Sequence, residues 1–424
     1  MTTTDQQGDR ASRHAAVREA ELQRNIASGA RLVFDPYPVI DELREHGAVV
    51  EIDVSAHFGI APMPGQPTSE HTFTAIGYDA VEQVFRDNVT FSSAAVGSVV
   101  AQKWGANILF MDEPEHRTYR ALAQPAFAIK TMQSWEDRWL QPILTDLLAA
   151  LPDEGRTDLY HEYCALFPVK TIASAFGIAP DDAERYHEWV LHMSGGGTPD
   201  QAIEAVQHIA DSLRPIIEDR RATGNDDDVI GLLAGSEVAD AAGTMHRLTE
   251  TEILGFAYLM LTAGAGTTYR TFGFLLREVI ANQELLARVR RDPDFVVPLV
   301  EETLRWSPPV LFFDRMAMVD TEVAGVRIPA GSVVSAMVGA ANRDPARWDR
   351  PHEFDPDRER LPHVAFGNGP HFCIGNQLAR MELRNALTAL LDRYDSIELD
   401  PEEPYPETSG LRFRQIEGLP VVVG

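Results

Sequence analysis

The spacing of apolar residues divides the chain into a helical middle and two flanks of mixed character. Between about residues 115 and 305, apolar positions recur mostly at helical intervals, which predicts a largely α-helical region. Short strand-like runs lie outside it, at 49–53, 72–76 and 321–338, and turn-forming residues separate them. A further helix is predicted at 376–394, before a last pair of strands. We therefore expect a mainly α fold with a minor β part.

Several segments lack this periodicity. Residues 1–30 are polar, and we expect them to be mobile or loosely packed beside a single domain formed by 31–424. Residues 224–228 and 236–249 are interpreted as connections between helices, and 61–67 is interpreted as a turn-rich loop.

The strongest helical pattern runs from Thr249 to about Ala281. Thr249 and Glu252 form a capping box at its start, and about 33 residues would span about 50 Å. In its middle stands the run Ala263-Gly264-Ala265-Gly266-Thr267-Thr268. Each glycine costs about 1 kcal/mol inside a helix. Such glycines suit either the close approach of a flat ligand to the backbone or helix–helix packing, and the run alone favours packing.

The run Phe366-Gly367-Asn368-Gly369-Pro370-His371-Phe372-Cys373-Ile374-Gly375 places a cysteine at the end of a glycine-rich loop, directly before a predicted helix. Backbone N–H groups at a helix start favour the thiolate, which is the form that ligates a metal. The three glycines supply backbone freedom and allow close approach to a flat cofactor. Cys373 is thus a candidate metal ligand. Cys164 lies among apolar residues, which predicts an ordinary buried core residue.

Composition narrows the possible functions. The chain has 424 residues, and its net charge of −27 argues against nucleic-acid binding, which needs a basic surface. Two cysteines argue against a disulfide framework and fit a reducing compartment. The polar N-terminus lacks a signal-peptide core, and no apolar run is long enough to span a bilayer. We therefore expect a cytoplasmic protein without a membrane anchor.

The cysteine-containing run resembles the haem-binding loop of the cytochrome P450 family. The resemblance covers the chain from about residue 35 onward and implies the P450 fold, with the long helix crossing over a buried haem b. It implies that the Cys373 thiolate is the axial ligand of the haem iron, which favours O–O cleavage. The resemblance also implies that four further loop residues contact the cofactor, namely Phe366, Gly367, His371 and Gly375.

The middle of the long helix resembles the oxygen-binding segment of the family, whose pattern is Ala-Gly-x-Asp/Glu-Thr-Thr. The resemblance implies that Ala263 and Gly264 contact the cofactor. It also implies that Thr267 is the catalytic hydroxyl that orders proton-delivering water, with Thr268 beside it. Gly266 stands at the acidic position. Proton delivery must therefore run through water, backbone or another side chain.

Glu302 and Arg305 resemble the Glu-x-x-Arg element with which the family braces the thiolate loop. On its own, such a pair is typical of a surface ion pair. The segment 351–358 resembles the meander that completes the brace. Glu353 stands where an arginine is common, and Arg358 is a candidate replacement.

Four residues at family positions are implied contacts of the haem propionates, which require cations and hydrogen-bond donors. His116 and Arg120 lie four residues apart on one predicted helix face, Arg315 follows a proline break, and His371 is the fourth. Asp314 is adjacent to Arg315, and it could either weaken that contact or orient the arginine.

Together these motifs imply a haem-thiolate monooxygenase that activates O2 with two electrons and hydroxylates or dealkylates a small-to-medium hydrophobic substrate. The chain has no flavin or dinucleotide fingerprint, so we expect a ferredoxin and an NAD(P)H-dependent ferredoxin reductase as electron donors. They would dock near Arg117, Arg380 and Arg384. Two alternatives stay open. A peroxide-driven peroxygenase is favoured by Gly266 and disfavoured by Thr267, and a non-catalytic haem-thiolate protein would bind a ligand or sense gas.

The substrate cavity is predicted to be apolar with aromatic walls. Core packing alone would also explain many of its candidate residues, and Lys103 and Arg412 are the cations among them. The candidates are 96–109, 189–197, Ala263, Thr267, 310–313 and 411–413.

Overall fold

The computed structural model describes residues 16–26, 29–61, 69–97, 107–179, 182–239 and 243–424. Most of them are helical, as expected. Residues 16–26 form a helix, and the other α-helices are Tyr37–Arg44, Val54–His57, Tyr78–Arg86, Glu115–Ala123, Ile129–Trp135, Gln141–Ala150, Leu166–Ala175, Ala183–Leu191, Pro199–Thr223, Val229–Gly235, Glu250–Ala281, Gln283–Arg291, Val296–Trp306, Val338–Ala341 and Asn376–Arg393. Single π-helical turns are Glu136–Leu140, Tyr160–Cys164 and His192–Gly196.

The long helix predicted at mid-chain is confirmed as Glu250–Ala281, here called the central helix. The Thr249 hydroxyl accepts a bond from the backbone N–H of Glu252, and the Glu252 carboxylate accepts one from the Thr249 N–H, so the predicted capping box fixes its start. Its residues are mostly buried along its length. The helix therefore runs through the core, where several other elements can position side chains against it.

Small sheets flank the helices. One sheet has the spatial order Val49–Val50, Thr72–Ala75, Val333–Met337, Phe312–Ala317, Phe91–Ser92. Its register places Arg315 opposite Val334 in an antiparallel pair. The other strands form the three-stranded sheet Ile397–Leu399, Pro420–Val423, Gly155–Asp158 and the hairpins Glu237–Ala239 with Met245–Arg247 and Thr321–Val323 with Val326–Ile328.

Two local expectations change. The segment 236–249 contains the hairpin Glu237–Ala239 with Met245–Arg247, although residues 240–242 lie outside the described part. The strand expected at 49–53 ends at Val50, because the Asp53 side chain accepts two backbone N–H bonds and starts a short helix.

The N-terminal segment also differs from the expectation of loose packing. Within the helix at 16–26, Glu21, Arg24 and Asn25 are each more than nine-tenths buried. The Tyr269 hydroxyl of the central helix donates to the Glu21 carboxylate at 2.7 Å. The expectation is therefore wrong for 16–26, while 1–15 and 27–28 lie outside the described residues.

Cys164 is fully buried in the main apolar core, as predicted. In the part of the chain that the structure describes, no helix has the length and apolarity needed to cross a membrane. The turn-rich loop expected at 61–67 falls almost entirely outside that part.

Candidate active site

Cys373 lies at the end of a loop shaped by two glycines in the left-handed region. Gly367 and Gly369 both have φ of 70°, a conformation that strains other residues. A Cβ at Gly369 would lie 2.6 Å from the carbonyl oxygen of Phe85. The Cys373 N–H donates to the carbonyl of Phe366 at 2.9 Å and closes the loop. The predicted need for glycine is confirmed at these two positions.

Cys373 is a partly exposed residue, and opposing influences act on the pKa of its thiol. Burial raises the pKa of the thiol above its ordinary value, while the N–H of Gly375 and the positive charges of Arg120 and Arg380 act to lower it. Gly375 has an ordinary φ of −85°. Its contribution is therefore the N–H group and not backbone freedom. Coordination to a metal ion would deprotonate a thiol in this position.

A cluster of nitrogen groups lies beside the loop, as the sequence predicted. The rings of His116 and His371 are 4.0 Å apart between centroids. The Nε2 atoms of both rings are buried and lack hydrogen-bond partners among the described residues. Arg315 is 6% exposed, and its guanidinium donates to a backbone carbonyl at 2.8 Å. Arg120 donates to the Phe372 carbonyl at 2.6 Å.

Electrostatics show that these four residues converge. Burial lowers the pKa of His371 to about 3, with further lowering by the charges of Arg315, His116 and Arg120. Burial also lowers the pKa of Arg315 to about 10. At neutral pH the cluster therefore combines cationic guanidinium groups with a neutral His371. Buried, unpartnered polar groups of this kind require a ligand, and the two carboxylates of haem fit the set in charge and hydrogen bonding.

Asp314 does not neutralise this cluster by a direct contact with the Arg315 guanidinium. Its carboxylate accepts bonds from the Ser335 hydroxyl at 2.7 Å and from Arg412 at 2.6 Å. The Asp314 backbone carbonyl accepts the bond from the Arg315 guanidinium at 2.8 Å, so of the two alternatives the structure favours the one in which Asp314 orients the arginine. The contact with the Asp314 carboxylate pairs the charge of Arg412.

One face of the central helix is accessible, although most other residues of this helix are buried. It is called the open face below. Ala263 is exposed and Thr267, four residues later on the same face, is partly exposed. The Thr267 hydroxyl donates to the Ala263 carbonyl at 2.8 Å. Its oxygen lone pairs are therefore available to accept a hydrogen bond from this face.

The two glycines of this segment have close protein neighbours, as the packing interpretation of the run predicts. A Cβ on Gly264 would lie 3.1 Å from the Ile172 side chain. A Cβ on Gly266 would lie 2.9 Å from Nη1 of Arg270. Protein side chains close to both Cβ positions are enough to explain the two glycines, and the implied contact of Gly264 with the cofactor stays a prediction.

Sequence reasoning missed a buried acid at the second threonine. Thr268 is buried, and its hydroxyl donates to the Gly264 carbonyl at 3.0 Å. The side chain of Glu382, 1% exposed, is hydrogen-bonded to Thr268, and burial raises the pKa of this acid well above its ordinary value. Burial therefore favours the protonated form of Glu382. Its position four residues after Leu378, on an apolar helix face, is the signal that could have identified it.

The Glu-x-x-Arg pair forms a buried brace. Arg305 donates to both carboxylate oxygens of Glu302 at 2.7 Å, and both side chains are nearly inaccessible. Arg358 donates to the same carboxylate at 3.0 Å, whereas Glu353 contributes its backbone carbonyl to Arg305. The family resemblance at this element is confirmed, and Arg358 is the replacement arginine.

Hydrogen bonds connect the brace to the cysteine loop. Arg305 donates to the Asn342 carbonyl at 2.9 Å, and the Asn342 side chain accepts the N–H of Val364 at 2.8 Å. The Val364 carbonyl then accepts the N–H of Gly367 at 2.9 Å. Displacing Arg305 would therefore shift the loop that holds the cysteine.

Only some of the predicted substrate-lining residues are available to a ligand. Leu311, Phe312 and Leu411 are at most 1% exposed and belong to an apolar core cluster. Phe413 and Trp189 are partly exposed. Residues 98–106, including Lys103, lie outside the described part of the chain.

Comparison with known proteins agrees with this site. A family model described as Cytochrome P450 matches residues 186–417. The chain is 30% identical over 399 residues to the cytochrome P450 monooxygenase PikC of Streptomyces venezuelae, covering 91% of this chain and 92% of that protein.

Solved structures give the same result. CYP108D1 from Novosphingobium aromaticivorans matches with a TM-score of 0.80 and 26% identity, over 95% of this chain and 98% of the other. CYP109E1 from Bacillus megaterium, in complex with testosterone, matches with a TM-score of 0.78 and 26% identity, over 92% and 99%. The similarity thus extends over nearly the full length of each chain.

Proposed function

This chain belongs to the cytochrome P450 family, and we propose that it hydroxylates or dealkylates a small-to-medium hydrophobic organic substrate. As a family member it is a haem-thiolate monooxygenase with a cysteine-ligated haem b, and it receives electrons from an external redox partner. Bound haem supplies the chemistry that activates O2 and inserts one oxygen atom into the substrate. The observation that carries the proposal is the convergence of His116, Arg120, Arg315 and His371 beside the Cys373 loop.

Each part of the site has a proposed role. Cys373 ligates the iron, and the cluster of His116, Arg120, Arg315 and His371 binds the propionates. The Thr267 hydroxyl accepts a hydrogen bond on the open helix face and holds a water there for proton delivery. The Thr268 side chain is hydrogen-bonded to Glu382 and does not lie on the open face with Thr267. Its proposed role is therefore to support Thr267.

The absorption spectrum of the reduced protein with carbon monoxide tests this proposal. We expect a strongly red-shifted Soret band that is lost in Cys373→Ala. Cys164→Ala is the matched control, because it removes the other thiol from the core and should leave the band in place. A wild-type band at the position of a histidine-ligated haem, or no haem band at all, would contradict the assignment.

We propose an uncharged, apolar substrate. Ala263, Phe413 and Trp189 offer apolar or aromatic surface, and the charge of Arg412 is paired with Asp314. The neighbour CYP109E1 binds testosterone, which supports a steroid-sized ligand. Titration with neutral steroids and terpenoids should give a substrate-induced spin-state shift, and their carboxylated analogues should give a weaker one. Preferential binding of the charged analogues would refute the proposal.

We propose that the redox partners are a ferredoxin and its NAD(P)H-dependent reductase. Arg117 and Arg384 are exposed, and their helices adjoin the cysteine loop: Arg120 of Glu115–Ala123 donates to the Phe372 carbonyl, and Asn376–Arg393 directly follows the loop. Arg380 is bound to Glu301 at 2.6 and 3.0 Å and is less available for docking. Reversing the charge of both Arg117 and Arg384 to Glu should raise the KM for ferredoxin about tenfold. Arg185→Glu, at an exposed position of the helix Ala183–Leu191, is the control. Unchanged turnover in the double variant would sink this docking site.

A further inference from the structure

The helix at 16–26 packs charged side chains against the face of the central helix that carries Tyr269 and Arg270. Tyr269 donates to Glu21 at 2.7 Å, and Arg270 donates to the Asn25 side chain at 3.3 Å. The Arg24 guanidinium lies 4.6 Å from the ring centroid of Phe413. These contacts hold a cluster of charged groups in the interior, on a different face of the central helix from Thr267.

Two guanidinium groups of this cluster converge on the space beside Gly266. A Cβ built on Gly266 would lie 2.9 Å from Nη1 of Arg270 and 3.5 Å from Nη1 of Arg24. That Cβ position is one bond length from the Gly266 Cα, so it marks the side of the helix on which the two guanidinium groups approach each other. Arg270 is 1% exposed and Arg24 is 7% exposed, so solvent screens neither charge well.

The cluster carries more positive than negative charge. Among the described residues, Glu21 is the carboxylate that acts on both Arg24 and Arg270. His187 lies nearby, but burial lowers its pKa to about 4, so it is neutral at pH 7. The buried Glu184 carboxylate acts on His187 and is not among the groups that act on Arg24 or Arg270. The two buried guanidinium groups thus share one carboxylate, and an uncompensated charge in the interior is strongly unfavourable.

Donor groups are also in excess at this cluster. Arg24 Nε, Gln415 Nε2 and the Tyr160 hydroxyl are buried without hydrogen-bond partners in the described part of the chain. Gln415 is attached to the cluster through its Oε1, which accepts a bond from Arg270 at 3.0 Å. All three atoms can donate a hydrogen bond. The shortage is therefore of acceptors as well as of negative charge.

We propose that a small monovalent anion, a halide or a carboxylate, binds between the guanidinium groups of Arg24 and Arg270 beside Gly266. Such an anion supplies the missing charge and the missing acceptor together. Position 266 is also where the family pattern carries Asp or Glu, so the bound anion replaces a carboxylate that other sequences attach covalently. The inference rests on these contacts and does not depend on the proposed substrate or redox partner.

Direct binding is tested on wild-type holoprotein with bromide, chloride and formate. Crystals grown in bromide should show an anomalous peak between the two guanidinium groups. At constant ionic strength, thermal unfolding in chloride, bromide or formate should occur about 2 °C or more above that in gluconate, which is too bulky to enter. A rise with halides alone identifies a halide site, and a rise with formate alone identifies a carboxylate site.

Substitution of Gly266 gives an independent test with a matched control. Gly266→Asp places a carboxylate at the point of convergence, while Gly266→Asn fills the same space without charge. The Asp variant should unfold above the Asn variant and lose the dependence on the anion.

Two results would overturn the proposal. One is a wild-type protein without a bromide peak and with equal unfolding temperatures in all four salts. The other is an Asp variant that unfolds at or below the temperature of the Asn variant. Because the wild-type experiment stands alone, the proposal remains testable even if both variants fail to fold.

Discussion

The brace and the propionate cluster both bury arginine, but they satisfy it in different ways. In the brace, Arg305 uses its donors on Glu302 and on three backbone carbonyls. In the propionate cluster, Arg315 makes a bond to a backbone carbonyl, and the nearby histidine Nε2 atoms are unpartnered in the described residues. The brace is complete within the protein, whereas the cluster needs a ligand to become complete. Burial of charge alone therefore does not distinguish scaffold from site, but hydrogen-bond satisfaction does.

Breaking the brace should have the largest effect. Glu302→Gln leaves Arg305 and Arg358 without their shared carboxylate, and we expect a loss of about 3–5 kcal/mol in the free energy of unfolding. Glu353→Gln is the control, since that side chain is 58% exposed and pairs with Arg350; its loss should be about 0–1 kcal/mol. Urea denaturation measures both. Equal stability of the two variants would mean that the brace is not a stabilising element.

Removing the charge from the cluster should have a smaller effect that depends on haem. Arg315→Met is expected to weaken haem binding about tenfold or more, because a buried cation opposite a propionate is lost. The apoprotein should be no less stable than wild type, since the buried charge lacks a carboxylate partner there. Transfer of haem to apomyoglobin measures how tightly each variant binds haem. Unfolding of the apoprotein measures its stability without haem. Arg327→Met, 78% exposed, is the control. A destabilised apoprotein with unchanged haem retention would place Arg315 in the scaffold.

The buried acid Glu382 should make the stability of the folded protein depend on pH. Its pKa is raised in the folded state from an ordinary value of 4.5. Above pH 4.5 the unfolded chain loses this proton while the folded chain retains it, so wild-type stability falls as pH rises. Glu382→Gln removes this penalty. The variant should therefore be more stable than wild type at pH 8, and this difference should vanish near pH 4.

Thermal unfolding between pH 4 and pH 8 measures this difference. Glu398→Gln, at an exposed position, should show a flat difference from wild type over the same range. A flat profile for Glu382→Gln as well would show that this acid is ionised in the folded protein.

The sequence predicted those features that depend on neighbouring residues. The cysteine loop, the capping box at Thr249 and the helix Asn376–Arg393 are local patterns, and each is found as expected. The choice of Arg358 over Glu353 in the brace required the tertiary fold, because both lie in one irregular segment. The close approach of Ile172 to Gly264 likewise required the tertiary fold, because the two residues lie far apart in the chain.

Glu382 and the Arg24–Arg270 cluster show a second limit of prediction from sequence patterns. Each depends on contacts between segments far apart in the chain, and the interaction of Tyr269 with Glu21 spans 248 positions. A local pattern contains no information on such pairs. An acid on an apolar helix face was the one available signal, and for Arg24 the polar composition of 1–30 predicted the opposite environment.

The docking of residues 16–26 has a consequence for how the chain is made. This helix is translated well before its partners Arg270 and Phe413. During synthesis its buried charges must remain in water, and they can enter the interior only after Phe413 has been made. Residues 16–26 thus reach their final environment later than the segments that are translated between them and Phe413. A bulky N-terminal fusion partner would therefore hinder the docking of residues 16–26 and not the formation of the helical core.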